Sequence, residues 1–121
     1  YINIITNMDK NIDSVIIACE NCVTECLSLK DHQMNDCVSI CLTNERIIKA
    51  LKVCHKCKCD KKIFNHLLKA SLESVNKCIS VCSKHQEKHQ HCKKCVIENT
   101  KLQKCLKFML SKKKITNKVS V

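Results

Sequence analysis

There is no glycine and no proline among the 121 residues. That absence constrains the fold more than any residue that is present. Tight hairpin turns depend on positive-φ positions that glycine fills best, and strand bulges and edges draw on glycine and proline too. Aromatic strand formers are nearly missing as well, with two Phe, one Tyr and no Trp. A chain so composed builds a sheet with difficulty, so the expected class is all-α. Its length suits one domain.

Apolar periodicity agrees with that class. From Ile12 a stripe runs through Ile12, Val15, Cys19, Cys22, Cys26 and Leu29, in alternating steps of three and four that make a heptad seam. Lys30, Asp31 and His32 form a polar break. A second helix is predicted over residues 33 to about 55, along Met34, Cys37, Cys41, Asn44, Ile48 and Leu51. Asn44 inside that stripe reads as a polar residue that sets register. A third helix, from about 63 to 84, follows Phe64, Leu68, Ser71, Val75, Cys78, Cys82 and His85. A fourth, from about 88 to 112, follows Cys92, Cys95, Asn99, Leu102, Leu106 and Met109, with Cys105 beside it. Residues 1–11 read as an N-terminal extension, 12–112 as the helical domain and 113–121 as a basic tail. Four helices joined by short breaks predict an up-down-up-down bundle.

Thirteen cysteines would signal a disulfide scaffold in a short secreted protein. Here the count is odd and the spacing helical, and two cysteines three or four apart on one helix face are poorly placed to bond each other. Free thiols are therefore expected. In the bundle the interior receives Cys19, Cys22, Cys26, Cys37, Cys41, Cys78, Cys82, Cys92 and Cys95. The first and third turns share one end, which gathers His32, Met34, His85, His89 and His91 into a mouth. The second turn, at the opposite end, carries Cys54, Cys57 and Cys59. Cys57 and Cys59 diverge by roughly 200° on a helix, so the segment runs from a helix end into a loop. It is either a second metal site or transfer point, or a set of exposed thiols with no defined role.

A core of small thiols leaves voids unless something fills it. Thiolates select Cu(I), Zn(II) or iron–sulfur clusters, and imidazole and thioether groups at a mouth also suit copper. Zinc favours closed tetrahedral sites, commonly built from cysteine pairs on loops. Thiols in continuous helical rows suit a low-coordinate ion such as Cu(I), held by two sulfurs from adjacent turns. Multiple Cu(I) ions are the expected cargo.

Other classes fit less well. The net charge of +11 suits a nucleic-acid binder, but only three aromatics and one arginine, Arg46, are available for stacking and bidentate recognition. A lysine-coated helical surface is the simpler account, with a local patch at Lys112-Lys113-Lys114, and no nucleic-acid partner is expected. A zinc-dependent nucleic-acid module would need its cysteine pairs in loops. Cys82 with Cys92 and Cys95 with Cys105 have the spacing of oxidised helical hairpins, yet the two runs abut with only two residues between them. No nucleophile stands out from its neighbours, so an enzyme is not expected. No apolar run reaches the length of about 18 residues that reads as a membrane span. The first residues lack the charged lead of a signal peptide, and a cytoplasmic location is expected.

The segment from Cys78 to Cys95 resembles the four-helix-bundle copper storage proteins. Its C-x₃-C-x₂-H, histidine-rich turn and H-C-x₂-C bring His85, His89, His91 and Cys92 into register with that family. Cys19, Cys22 and Cys26, and Cys37 with Cys41, look like the family's first and second helices. The resemblance covers roughly residues 12–110. It implies a homotetramer of bundles, each storing many Cu(I) ions on inward thiolates, with His and Met at the entry. The chain departs from the family at Ser71, Val75, Asn99 and Leu102, where more cysteine is usual, and the Cys54–Cys59 segment looks like an addition. Those departures imply ordinary packing at the lower core end and a smaller capacity.

Overall fold

The structure, a computed structural model, describes residues 2–119, with side chains described for residues 7–112. Four helices follow in order: α1 (Ile2–Ser28), α2 (Asn35–Lys56), α3 (Lys61–Ser83) and α4 (Gln90–Val119), with a 3-10 turn at His32–Met34 leading into α2. No strand occurs among the described residues. Helix α1 packs on α2 and α4, and α3 packs on the same two. The four therefore close an up-down-up-down ring, as the periodicity predicts.

Two boundaries extend beyond the stripes. Helix α1 begins at Ile2 rather than Ile12, and Met8 continues the Ile12–Val15–Cys19 row by one more buried turn. Helix α4 runs to Val119. The side chains of residues 113–121, and so most of the Lys112-Lys113-Lys114 run, lie outside the described residues.

With no glycine available, lysines take the left-handed positions that end α1 and α2: Lys30 at φ 53° and Lys58 at φ 52°. A residue with a Cβ there costs about 1–2 kcal/mol. Aspartates offset part of that cost in the next residues. Asp31 accepts from the Gln33 amide at 3.0 Å. Asp60 caps α3 by accepting from the Lys62 and Ile63 amides at 2.9 and 3.2 Å, a contribution of about 1 kcal/mol. The third connection uses successive hydrogen-bonded turns instead, with the His89 amide on the His85 carbonyl at 3.0 Å and the Cys92 amide on the His89 carbonyl at 3.1 Å.

The predicted stripes become the core apart from three positions: Phe64 and His85, at the two ends of the third stripe, are half-buried, and Leu29 is 43% exposed because the chain has already left the helix. Along the bundle axis that core divides. Toward the second turn it is aliphatic, with Met8, Ile12, Ile48, Leu51, Leu68, Leu102 and Leu106 fully buried. At that base the His55 ring stacks on Phe64, centroids 5.8 Å apart, and its Nδ1 lies 3.3 Å from Asp9. Toward the first and third turns the core is sulfur.

Candidate metal centre

Heptad steps put Cys19, Cys22 and Cys26 in one row on α1. Antiparallel α2 presents Cys37 and Cys41 beside that row, α3 adds Cys78 and Cys82, and α4 adds Cys92 and Cys95. The result is layered. Cys19, Cys41, Cys78 and Cys95, one from each helix, have sulfurs within 4.8 Å of one another. Two further quartets, Cys22–Cys37–Cys41–Cys82 and Cys22–Cys26–Cys37–Cys92, meet the same limit nearer the mouth. Because Cys22, Cys37 and Cys41 are shared between quartets, all nine sulfurs form one connected array. None of the nine is more than 2% exposed.

Sulfur–sulfur separations within the array are short. In the inner quartet Cys41 lies 3.9 Å from Cys78 and 3.8 Å from Cys95, and Cys78 lies 3.8 Å from Cys95. Toward the mouth Cys37 lies 3.5 Å from Cys22 and 3.4 Å from Cys82. Cys41 to Cys82 at 3.7 Å and Cys78 to Cys82 at 3.9 Å join the two levels.

The array cannot ionise as a whole, because each thiolate needs neighbouring S–H donors. Hydrogen bonds from Cys37 and Cys41 pull the Cys22 thiol down. Cys37 is raised by its bond with Cys22 but lowered by those with Cys41, Cys82 and Cys92, and settles at about 4. Bonds from Cys19, Cys41 and Cys82 pull Cys78 down to about 6. Their partners keep the protons: hydrogen bonding to Cys19 raises Cys41 and Cys95, and hydrogen bonding to Cys22 raises Cys82 and Cys92. Burial, then the charge of neighbouring sulfurs, pushes Cys26 up.

At the mouth, His91 reaches the array directly, its Nε2 3.3 Å from Cys26 Sγ. The His89 and His91 rings are 5.3 Å apart. His85 turns instead to Asp36, Nε2 to Oδ1 3.3 Å. Met34 is buried at 2% exposure, and His32 is exposed. A crevice lined by Lys30, Asp31, His32 and Asn35 opens onto Cys26 from outside.

The remaining cysteines stand apart from the array. Cys105 is half-buried and receives the Asn11 amide at 3.3 Å. Cys54 and Cys59 are joined by a disulfide, Cα atoms 5.0 Å apart, while Cys57 is exposed and free. The hairpin-type pairing is not formed: Cys82, Cys92, Cys95 and Cys105 are all free.

One feature of the site escaped the sequence reading. Beneath the inner quartet lies a polar layer in which Asn44 Nδ2 donates to Asn99 Oδ1 at 2.8 Å and Ser74 Oγ donates to Asn44 Oδ1 at 2.7 Å. The signal for it was that Asn44 and Asn99 occupy the same depth on their two stripes. Ser74 lies one residue off the predicted stripe. Ser71, fully buried among aliphatic residues, has a hydroxyl with no hydrogen-bond partner.

No described helix is long and apolar enough to cross a membrane. No family model, curated protein or solved structure matches the chain. Geometry alone establishes a cysteine-rich four-helix bundle whose buried sulfur clusters can hold metal ions.

Proposed function

We propose that the protein stores Cu(I), binding many ions per chain on its nine interior thiolates, and that it belongs with the copper storage bundles its sequence resembles. The observation that carries this is the continuity of the array: sulfurs are shared between quartets rather than parcelled into closed sites. A two-coordinate ion taking two sulfurs, with each sulfur bridging two ions, gives about one ion per thiol.

The sulfur spacing also supports a second reading. A tetrahedral zinc site with bonds of about 2.3 Å has sulfurs about 3.8 Å apart, close to the 3.8–3.9 Å separations of the inner quartet. Charge favours the first. Three dications in three quartets would leave nine thiolates with three uncompensated negative charges. No Lys, Arg or His is buried among the described residues to neutralise them, and unpaired buried charge is costly. Nine Cu(I) ions would leave a neutral core.

Anaerobic titration against a competing Cu(I) chelator tests the proposal. Saturation near nine equivalents supports a store. Saturation at one or two, or preferential retention of three Zn(II) in competition, overturns it.

A further inference from the structure

We infer that the inner end of the array holds the first ion, seated between Cys19 and Cys95, and that the store fills from this floor outward to the mouth; the inference rests on the Cu(I) reading above. Asn44 and Asn99 act as positioning residues for that first site.

The orientation of both carboxamides is fixed by one acceptor. Asn99 Nδ2 lies 2.8 Å from the Cys95 carbonyl oxygen, which can only accept, so the NH₂ group must face it. Asn99 Oδ1 therefore points the other way and takes the Asn44 NH₂ at 2.8 Å. Asn44 Oδ1 is left to accept from Ser74. Each NH₂ group then has one hydrogen left, and both are aimed at sulfur. Asn44 Nδ2 lies 3.5 Å from Cys19 Sγ, and Asn99 Nδ2 lies 3.4 Å from Cys95 Sγ. Both asparagines are fully buried, so water does not compete for these donors.

The two sulfurs that receive the amide bonds are also 3.9 Å from each other. A linear two-coordinate ion needs its two sulfurs somewhat farther apart than this, a separation that a small rotamer adjustment supplies. The first ion entering an empty core is the one most in need of help. One Cu(I) between two thiolates carries a net negative charge, and the thiol protons leave as it forms. Later ions share sulfurs already charged, and the array moves toward neutrality. Hydrogen bonds to charged acceptors are worth more than neutral ones, so the amide donors favour the charged first site over the same ion placed elsewhere.

The test is a thiol footprint on the reduced full chain with one equivalent of Cu(I), labelled anaerobically with a fast maleimide and compared with the apo protein. Cys19 and Cys95 should gain the most protection, with Cys22, Cys26, Cys37 and Cys92 still labelled at apo rates. Protection appearing first at those four outer cysteines overturns the inference even if the chain goes on to bind many ions. Saturation at one equivalent with Cys19 and Cys95 protected would instead support the floor site and sink the store. In the variant Asn99→Leu, affinity for the first equivalent should fall about ten- to a hundredfold while later equivalents are unchanged. Unchanged first-equivalent affinity overturns the inference. Should that variant fail to fold, the parent footprint still decides.

Discussion

Cys41 is the most informative single sulfur to remove, because it belongs to two of the three quartets. The change Cys41→Ser deletes contacts of 3.7–3.9 Å with Cys78, Cys82 and Cys95. The fold should tolerate it. A serine at that position can turn its hydroxyl to the carbonyl four residues back, as Ser83 does to Ile79 at 2.6 Å and Thr100 to Val96 at 2.7 Å, so no buried donor is stranded. The apo cost should be about 1 kcal/mol or less, a shift of a few degrees in midpoint. For bridged two-coordinate Cu(I), losing one sulfur removes two metal–sulfur bonds and hence about one ion in nine. The Cys78–Cys82 link at 3.9 Å still joins the inner and outer levels. For tetrahedral zinc the same change disables two quartets and leaves about one ion of three. Native mass spectrometry of the anaerobically loaded protein resolves these counts, with exposed Cys57→Ser as the control that changes nothing. Loss of most of the Cu(I) from this one substitution would refute the bridged array, and an unchanged count would remove Cys41 from the ligands.

Three other outcomes are expected. Leu106→Ala, in the aliphatic base, should destabilise the apo protein by about 2–5 kcal/mol yet leave Cu(I) equivalents unchanged; denaturant melts and metal counts on one sample check both. Burial raises Cys26, and hydrogen bonding to Cys22 raises Cys82 and Cys92, so these enter loading as thiols. Cu(I) must then displace their protons, making apparent affinity rise from about pH 6 to about pH 8 with measurable proton release; a flat profile would contradict the assignment. Replacing His85, His89 and His91 together with alanine should slow transfer from a Cu(I)–chelator complex in stopped flow while capacity stays the same. Equal rates in variant and parent would remove the histidines from the entry route.

Much of this architecture was legible because helical periodicity and burial are the same information. Every interior cysteine read from the stripes is buried, and Leu29 failed because α1 ends one residue before it, at Ser28. The mouth followed from connectivity: short turns force antiparallel neighbours, which brings His91 to Cys26 across 65 residues of chain. What periodicity could not supply was partnership. Asn44 was visible as a polar residue in a seam, but its bonds to Asn99, Ser74 and Cys19 depend on axial alignment of all four helices. The Cys54–Cys59 bridge depends in turn on the left-handed Lys58, which folds the chain back far enough for the Cys59 amide to reach the Cys54 carbonyl at 3.1 Å. Without a glycine at that position there was no local sign of so sharp a return.

The division of the core into an aliphatic base and a sulfur end sets two different opening energies within one bundle. Burying a leucine or isoleucine contributes about 1.5–3 kcal/mol, and the base holds six of them fully enclosed; the smaller thiols contribute less. Local opening free energy therefore falls from base to mouth. Amides around Cys26, Cys37 and Cys92 should exchange with solvent through fluctuations that leave Ile12, Ile48 and Leu106 packed. An ion can thus be admitted without unfolding the helices that will hold it. Each ion then cross-links sulfurs from different helices and tightens the end that let it in, so the loaded core should exchange its hydrogens as one cooperative unit where the empty core had two.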